Sequence, residues 1–207
     1  MQFDLFSERP KQYPTLEALI AEMMKMEDDP LFPKGTNMVI CRGNPQAKLM
    51  IVGEAPGTEE DRQGKPFVGR SGQLLDQILA AVNLDPEKDV FITNSVFRLP
   101  PGDNGKPLRK PTDDEIEFYK PFLLEIIRLV DPVIMVLTGN VATQSLLGKV
   151  GITKLRGQWF EWQDKWAMPI FHPAYLLRNP SRQPGSPKSL TWRDIQEVRR
   201  KYDELIQ

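Results

Sequence analysis

The chain has 207 residues, 40% of them hydrophobic and 27% charged, with a formal net charge of −1. That length and balance describe one compact domain with a sizeable core, and the longest apolar runs, such as Val133–Leu137, are far too short to cross a bilayer. One cysteine, Cys41, and one histidine, His172, exclude an internal disulfide framework, an all-cysteine metal site and a multi-histidine zinc site.

Met1 to about Pro14 reads as a flexible tail, polar and punctuated by proline, and residues 15–207 read as the single folded domain. The tail carries acids and lacks the basic-then-apolar order of an export signal, which points to a cytoplasmic protein. A helix is predicted over Thr15–Met26, with Leu16, Leu19, Ile20 and Met23 at helical spacing. Asp28-Asp29-Pro30 ends it, and an irregular segment leads to Lys48. Four apolar strands then alternate with helices. The strands are Leu49–Val52, Val90–Thr93, Val133–Thr138 and Met168–Phe171. The helices are Ser71–Val82, Thr112–Val130, Val141–Leu147 and Thr191–Leu205. Thr112 and Glu115 form a capping box for the second of these. The polar turn Gln163-Asp164-Lys165 between Trp159 and Trp166 predicts a β-hairpin inserted before the last strand. The expected class is α/β, a parallel sheet between helical layers.

From Lys149 to Gln207 stand 11 Lys and Arg against 6 Asp and Glu, an excess of +5, while the remainder carries −6. A basic face fits a phosphate-bearing partner, and a chance fluctuation of surface charge fits almost as well.

Open parallel sheets bind ligands beyond the carboxyl ends of their strands. The segments there are Gly53–Gly57, Asn94–Val96, Gly139-Asn140 and His172–Leu176. Gly53-Glu54-Ala55-Pro56-Gly57 makes a sharp turn that lets a ligand approach bare amides. Its neighbouring carboxylates, Glu54, Glu59, Glu60 and Asp61, argue against a phosphate cradle, and a plain strand-to-helix turn fits the same residues. Phe67, in the stiff loop Gly64–Gly72, is placed to stack on a planar ligand or to plug the core. His172 serves either as a structural residue or as a donor to charge on a leaving group. Asn94 reads a base edge or caps a turn. The run Leu176–Lys188 joins paired leucines to Arg178, Ser181, Arg182, Ser186 and Lys188. That mixture suits an apolar wedge in a base stack beside groups that grip phosphates.

In this order and spacing, four segments resemble the family 4 uracil-DNA glycosylases over Lys48 to about Tyr202. They are Gly53–Gly57 with Glu59-Glu60-Asp61, Gly64–Gly69, Ile92-Thr93-Asn94, and His172–Pro180. The resemblance implies a three-layer fold with a central four-stranded parallel sheet in the order 2-1-3-4. It also implies a monomeric enzyme that flips uracil out of single- or double-stranded DNA and hydrolyses its N-glycosidic bond to begin base excision repair. By the same likeness Phe67 stacks on uracil, Asn94 reads its edge, Glu60 lies near C5, His172 faces O2, Gly53, Glu54 and Ala55 line the base and water side, and Leu176 is the wedge. The alternatives are a glycosylase for another deaminated base, such as hypoxanthine or xanthine, and a non-catalytic DNA-binding member of the superfamily.

Family 4 enzymes hold a four-iron cluster on four cysteines. The matching positions fall near Met26, Asp29, Arg98 and Phe118, none of them cysteine, so no cofactor is expected. The loop Leu99–Lys110 lacks the histidine by which a related branch traps DNA covalently, which predicts turnover. Separately, Gln2-Phe3-Asp4-Leu5-Phe6 is similar to the pentapeptide by which bacterial repair proteins bind the sliding clamp, with Gln2, Leu5 and Phe6 as its contacts; a tail segment that packs on its own domain fits equally.

Overall fold

The computed structural model describes residues 12–102 and 108–206. Six strands form one sheet: β1 (Cys41–Gly43), β2 (Leu49–Gly53), β3 (Val90–Asn94), β4 (Ile134–Thr138), β5 (Phe160–Trp162) and β6 (Lys165–Ile170). Their order is β1-β3-β2-β4-β6-β5. β3, β2, β4 and β6 are parallel, while β1 and β5 pair antiparallel at the two edges. The expected four-stranded parallel sheet is thus corrected to a six-stranded mixed one, whose parallel strands keep the relative order 2-1-3-4. β1 escapes sequence reading because Cys-Arg-Gly has no apolar alternation, and only the ladder to β3 makes it a strand. At the other edge Gln163 adopts φ 55 to close the hairpin. The second hairpin strand then runs on as β6, so hairpin and last parallel strand are one element. Pro169 is tolerated inside β6 because its missing N–H faces away from β4, on the side where its carbonyl accepts from Gly157 N–H at 2.9 Å.

Eight helices cover the sheet among the described residues: α1 (Leu16–Met23), α2 (Thr58–Gln63), α3 (Arg70–Ala80), α4 (Asp113–Val130), α5 (Gly139–Leu147), α6 (Ile152–Leu155), α7 (Pro173–Arg178) and α8 (Pro187–Ile206). Alternation along β2 divides the core. Met50 and Val52 pack with Leu19, Tyr119 and Leu123 under α1, α4 and α5, whereas Leu49 and Ile51 pack with Leu75, Leu79, Ile195 and Val198 under α3 and α8. The capping box of α4 forms as predicted, with Thr112 N–H donating to Glu115 Oε2 at 2.8 Å and Glu115 N–H to Thr112 Oγ1 at 3.2 Å. α1 stops three residues before the expected end. α8 begins four residues early, at Pro187, a residue suited to the first helical position.

The tail peptide Gln2–Phe6 lies outside the described residues. Where the described chain begins, Tyr13 is tied to α4: its N–H donates to Glu125 at 2.6 Å and its carbonyl accepts from Arg128 at 2.7 Å. Among the described residues no helix is long and apolar enough to cross a membrane.

Candidate active site

The parallel strands end together on one rim, and a cavity of about 790 Å³ opens there, lined by Glu54, Ala55, Glu60, Phe67, Asn94 and His172 among others. Four stretches of chain far apart in sequence thus meet in one hollow large enough for a nucleotide. Gly53 supplies the close approach. A Cβ there would stand 2.2 Å from Asn94 Oδ1 and 2.5 Å from the Phe67 ring, so no other residue fits. The rings of Phe67 and His172 lie 6.0 Å apart and tilted by 31°.

Asn94 ends β3 and is 1% exposed, yet its Oδ1 has no hydrogen-bond partner. A buried unpaired acceptor costs free energy, on the order of 1–3 kcal/mol, and is retained where a ligand supplies the donor. His172 is the N-cap of α7. Its Nδ1 accepts from Ala174 N–H at 3.1 Å, which places the proton of the neutral ring on Nε2. Burial, with the Arg178 charge adding to it, lowers the His172 pKa to about 4. The ring therefore stays neutral near pH 7 and remains a donor. Gly139, at φ 89, lets the β4–α5 turn pass against it, since a Cβ there would sit 3.2 Å from His172 Cβ.

The acidic groups divide. Burial raises the pKa of Glu54, and the charges of Lys110 and Arg178 oppose that rise. Glu60 also borders the cavity, but backbone amides engage both of its oxygens. Oε1 accepts from Val68 N–H at 2.9 Å and Gly69 N–H at 2.7 Å, and Oε2 from Gly57 N–H at 3.2 Å. The family likeness puts Glu60 near C5 of the base; in the structure its carboxylate borders the cavity and also fastens the loop that carries Phe67. Lys110 and Tyr175 also line the cavity, and sequence reasoning passed over both. Lys110 sits in a connection without periodicity, and Tyr175 was overshadowed by the leucines that follow it.

Those leucines require a correction. Leu176 is 1% exposed, turned inward by α7, while Tyr175 is 39% exposed. The expectation of an exposed wedge at Leu176 treats Leu176-Leu177 as loop, whereas a helical turn points one of the pair into the interior. Arg178, Ser181 and Arg182 are exposed, and Ser186 and Lys188 are half-buried. Ser186 Oγ donates to the Ser181 carbonyl at 2.9 Å, closing the turn before α8.

The positions that the family likeness assigns to iron ligands do converge, but with other chemistry. Asp29, 1% exposed, accepts from Arg98 Nε at 2.6 Å, from Tyr119 Oη at 2.7 Å and from the N–H groups of Leu31 and Phe32 at 2.9 and 2.8 Å. Arg98 donates onward to the carbonyls of Met26 and Thr36 and stacks over Phe32. The fourth corner is Tyr119 and not Phe118, which packs edge-on against the Tyr119 ring at 5.2 Å because it lies one helical step away. Burial and the Asp29 hydrogen bond push the Tyr119 pKa upward. A four-iron cluster requires thiolates. This corner offers a carboxylate, a guanidinium and a phenol, while Cys41 lies in β1, its thiol pushed up to about 11 by burial. These residues do not fit a cluster.

Such a rim, with an aromatic ring, an unpaired amide oxygen and a neutral imidazole donor, has the chemistry to receive a planar hydrogen-bonding ring. The family model of the Uracil DNA glycosylase superfamily matches residues 41–196. A Type-4 uracil-DNA glycosylase of Thermotoga maritima is 39% identical over 171 residues, covering 81% of this chain and 86% of that protein. The proteins of that name from Sulfurisphaera tokodaii and Archaeoglobus fulgidus are 38% and 34% identical, covering 81% and 80% of this chain and 78% and 85% of theirs. The chain belongs to the uracil-DNA glycosylase superfamily.

Proposed function

We propose that the chain flips uracil out of DNA into the rim cavity and hydrolyses the bond between the base and its sugar. The observation that carries this reading is the unpartnered Asn94 Oδ1, buried in the cavity that also holds Phe67 and His172. Uracil presents an N3–H donor to that oxygen and an O4 acceptor to the amide nitrogen. Cytosine presents a lone pair and an amine at the same places, so it leaves both groups mismatched. Phe67 stacks on the ring.

In the reaction the C1′–N1 bond breaks with both electrons leaving on uracil, whose charge gathers on O2. The Nε2–H of neutral His172 donates to that oxygen, a contribution of about 3 kcal/mol by analogy with oxyanion donors. Water then adds its oxygen to C1′, and the proton it loses neutralises the departing uracil anion, leaving an abasic site and free uracil. With Glu59 and Glu60 engaged by Arg62 and by backbone amides, Glu54 is the carboxylate we assign to orient that water.

DNA runs over Arg178, Ser181, Arg182, Ser186 and Lys188, which hold phosphates, and binding through them weakens with salt. Tyr175, exposed at the mouth, fills the space left in the stack, with Leu176 supporting α7 from beneath. The tail peptide Gln2–Phe6 binds the sliding clamp; deleting Met1–Ser7 abolishes clamp capture and leaves excision intact. The test of the whole reading is cleavage of oligonucleotides carrying uracil, thymine, hypoxanthine or xanthine. Uracil is released fastest. Inactivity on uracil with release of hypoxanthine or xanthine overturns the assignment in favour of another deaminated base, and release of none leaves a non-catalytic DNA-binding protein.

A further inference from the structure

Phe67 holds its ring in the cavity at a backbone cost. Its φ is 54, in the left-handed region that bulky residues avoid. Such a conformation persists only where the surroundings enforce it, and here the enforcement comes from two charged side chains on opposite sides of the peptide. Glu60 gathers the N–H groups that follow Phe67, at 2.9 and 2.7 Å. Arg42 gathers the carbonyls: its Nε donates to Pro66 O at 3.0 Å and its Nη2 to Phe67 O at 3.2 Å. Gly72 closes the space behind, where a Cβ would stand 1.8 Å from Phe67 O.

Arg42 is itself pinned. Its side chain is 7% exposed, and it pairs with Asp76 of α3 at 2.5 Å and with Glu87 at 2.8 Å. It stands on β1 opposite Ile92 of β3, two residues before Asn94. One guanidinium fork thus links the strand ladder that carries the edge-reading amide to the loop that carries the stacking ring.

We propose that Arg42 is a positioning residue of the base pocket: by holding the carbonyls of Pro66 and Phe67 it sets the ring at the spacing from Asn94 and His172 that a flipped base requires. The assignment rests on the base-excision reading above. It demands the planar fork, because three separate nitrogens of Arg42 reach Pro66 O, Phe67 O, Asp76 and Glu87, whereas the donors of an ammonium all radiate from one nitrogen.

The experiment is a double-mutant cycle on Arg42→Met and Phe67→Leu, read as single-turnover excision from a uracil oligonucleotide and as binding of a non-cleavable 2′-fluoro-deoxyuridine oligonucleotide, with melting followed in parallel. Arg42→Met is expected to slow excision about 10- to 100-fold and weaken analogue binding. Arg42→Lys recovers only part of that loss, and in the Phe67→Leu background Arg42→Met adds less than threefold. Arg42→Met that lowers melting but excises at the wild-type rate below its transition, or losses that multiply in full with those of Phe67→Leu, overturn the proposal. Should Arg42→Met not fold, the same cycle is run with Arg42→Lys and judged on the same non-additivity. A wild-type protein that neither excises uracil nor binds the analogue overturns the base-excision reading instead. In that case faster hydrogen exchange at the Val68 and Gly69 amides of the Arg42 variant still decides whether the fork holds the loop, and unchanged exchange rejects it.

Discussion

Two buried polar regions of this molecule are built on opposite terms. At the Asp29–Arg98–Tyr119 corner every charged atom meets a partner: Asp29 alone accepts four hydrogen bonds, and each Nη of Arg98 donates to a carbonyl, of Thr36 or of Met26. At the sheet rim Asn94 leaves an acceptor unpaired, Glu54 is raised in pKa by burial, and Phe67 holds a strained backbone. A satisfied network stabilises the folded state without reacting to anything, whereas an unsatisfied one is completed by whatever enters it. The contrast separates the residues whose loss unfolds this protein from those whose loss disarms it.

The sharpest way to break that contrast is to cut each region in turn. Arg98→Met strands the Asp29 carboxylate in the interior and is expected to cost about 3–5 kcal/mol of stability. Its excision rate should stay near wild type at temperatures where it remains folded, as urea denaturation beside an activity assay would show. The double variant Arg98→Met with Asp29→Leu should lose less than the single one, because no lone charge is left behind. At the rim the pattern reverses. Asn94→Ala and His172→Ala should each reduce single-turnover excision about 10²- to 10³-fold, with melting unchanged or slightly raised for Asn94→Ala. A large loss of stability in Asn94→Ala would erase the distinction.

A smaller effect sharpens it. As the only histidine, His172 gives one imidazole signal by nuclear magnetic resonance, and that signal should titrate near pH 4 with the proton on Nε2, not near the ordinary 6.5. Because the folded pKa lies below the unfolded one, the unfolded chain takes up the proton first as the pH falls. The stability due to the neutral ring is therefore full above about 6.5 and declines toward about 4. Excision should accordingly show no loss through titration of this group between pH 5 and 7.

How much of this was legible depended on whether a residue acts through pattern or through a partner. The buried runs of β2, β3 and β4 declare themselves because nothing polar interrupts them, and the rim residues follow from where such strands end. α2, with the sequence Thr-Glu-Glu-Asp-Arg-Gln, carries no apolar periodicity and is invisible without the fold. Asn94 and His172 could be singled out as chemistry-bearing types at strand ends, and Phe67 as an aromatic on a stiff glycine-flanked loop. Glu60 and Arg42 could not be given their roles, since they bind backbone groups, and backbone leaves no signature in a sequence. Leu176 was misread because a short helix after His172-Pro173 looks like loop until its N-cap is seen.

The Asp29 corner has a last consequence, for how the protein matures. Its carboxylate, guanidinium and phenol are side chains of the polypeptide itself, so the segment from α1 to Thr36 can dock once Arg98 and Tyr119 have been made. The same anchorage is indifferent to chelators and to oxidants, and it should hold in cells starved of metal.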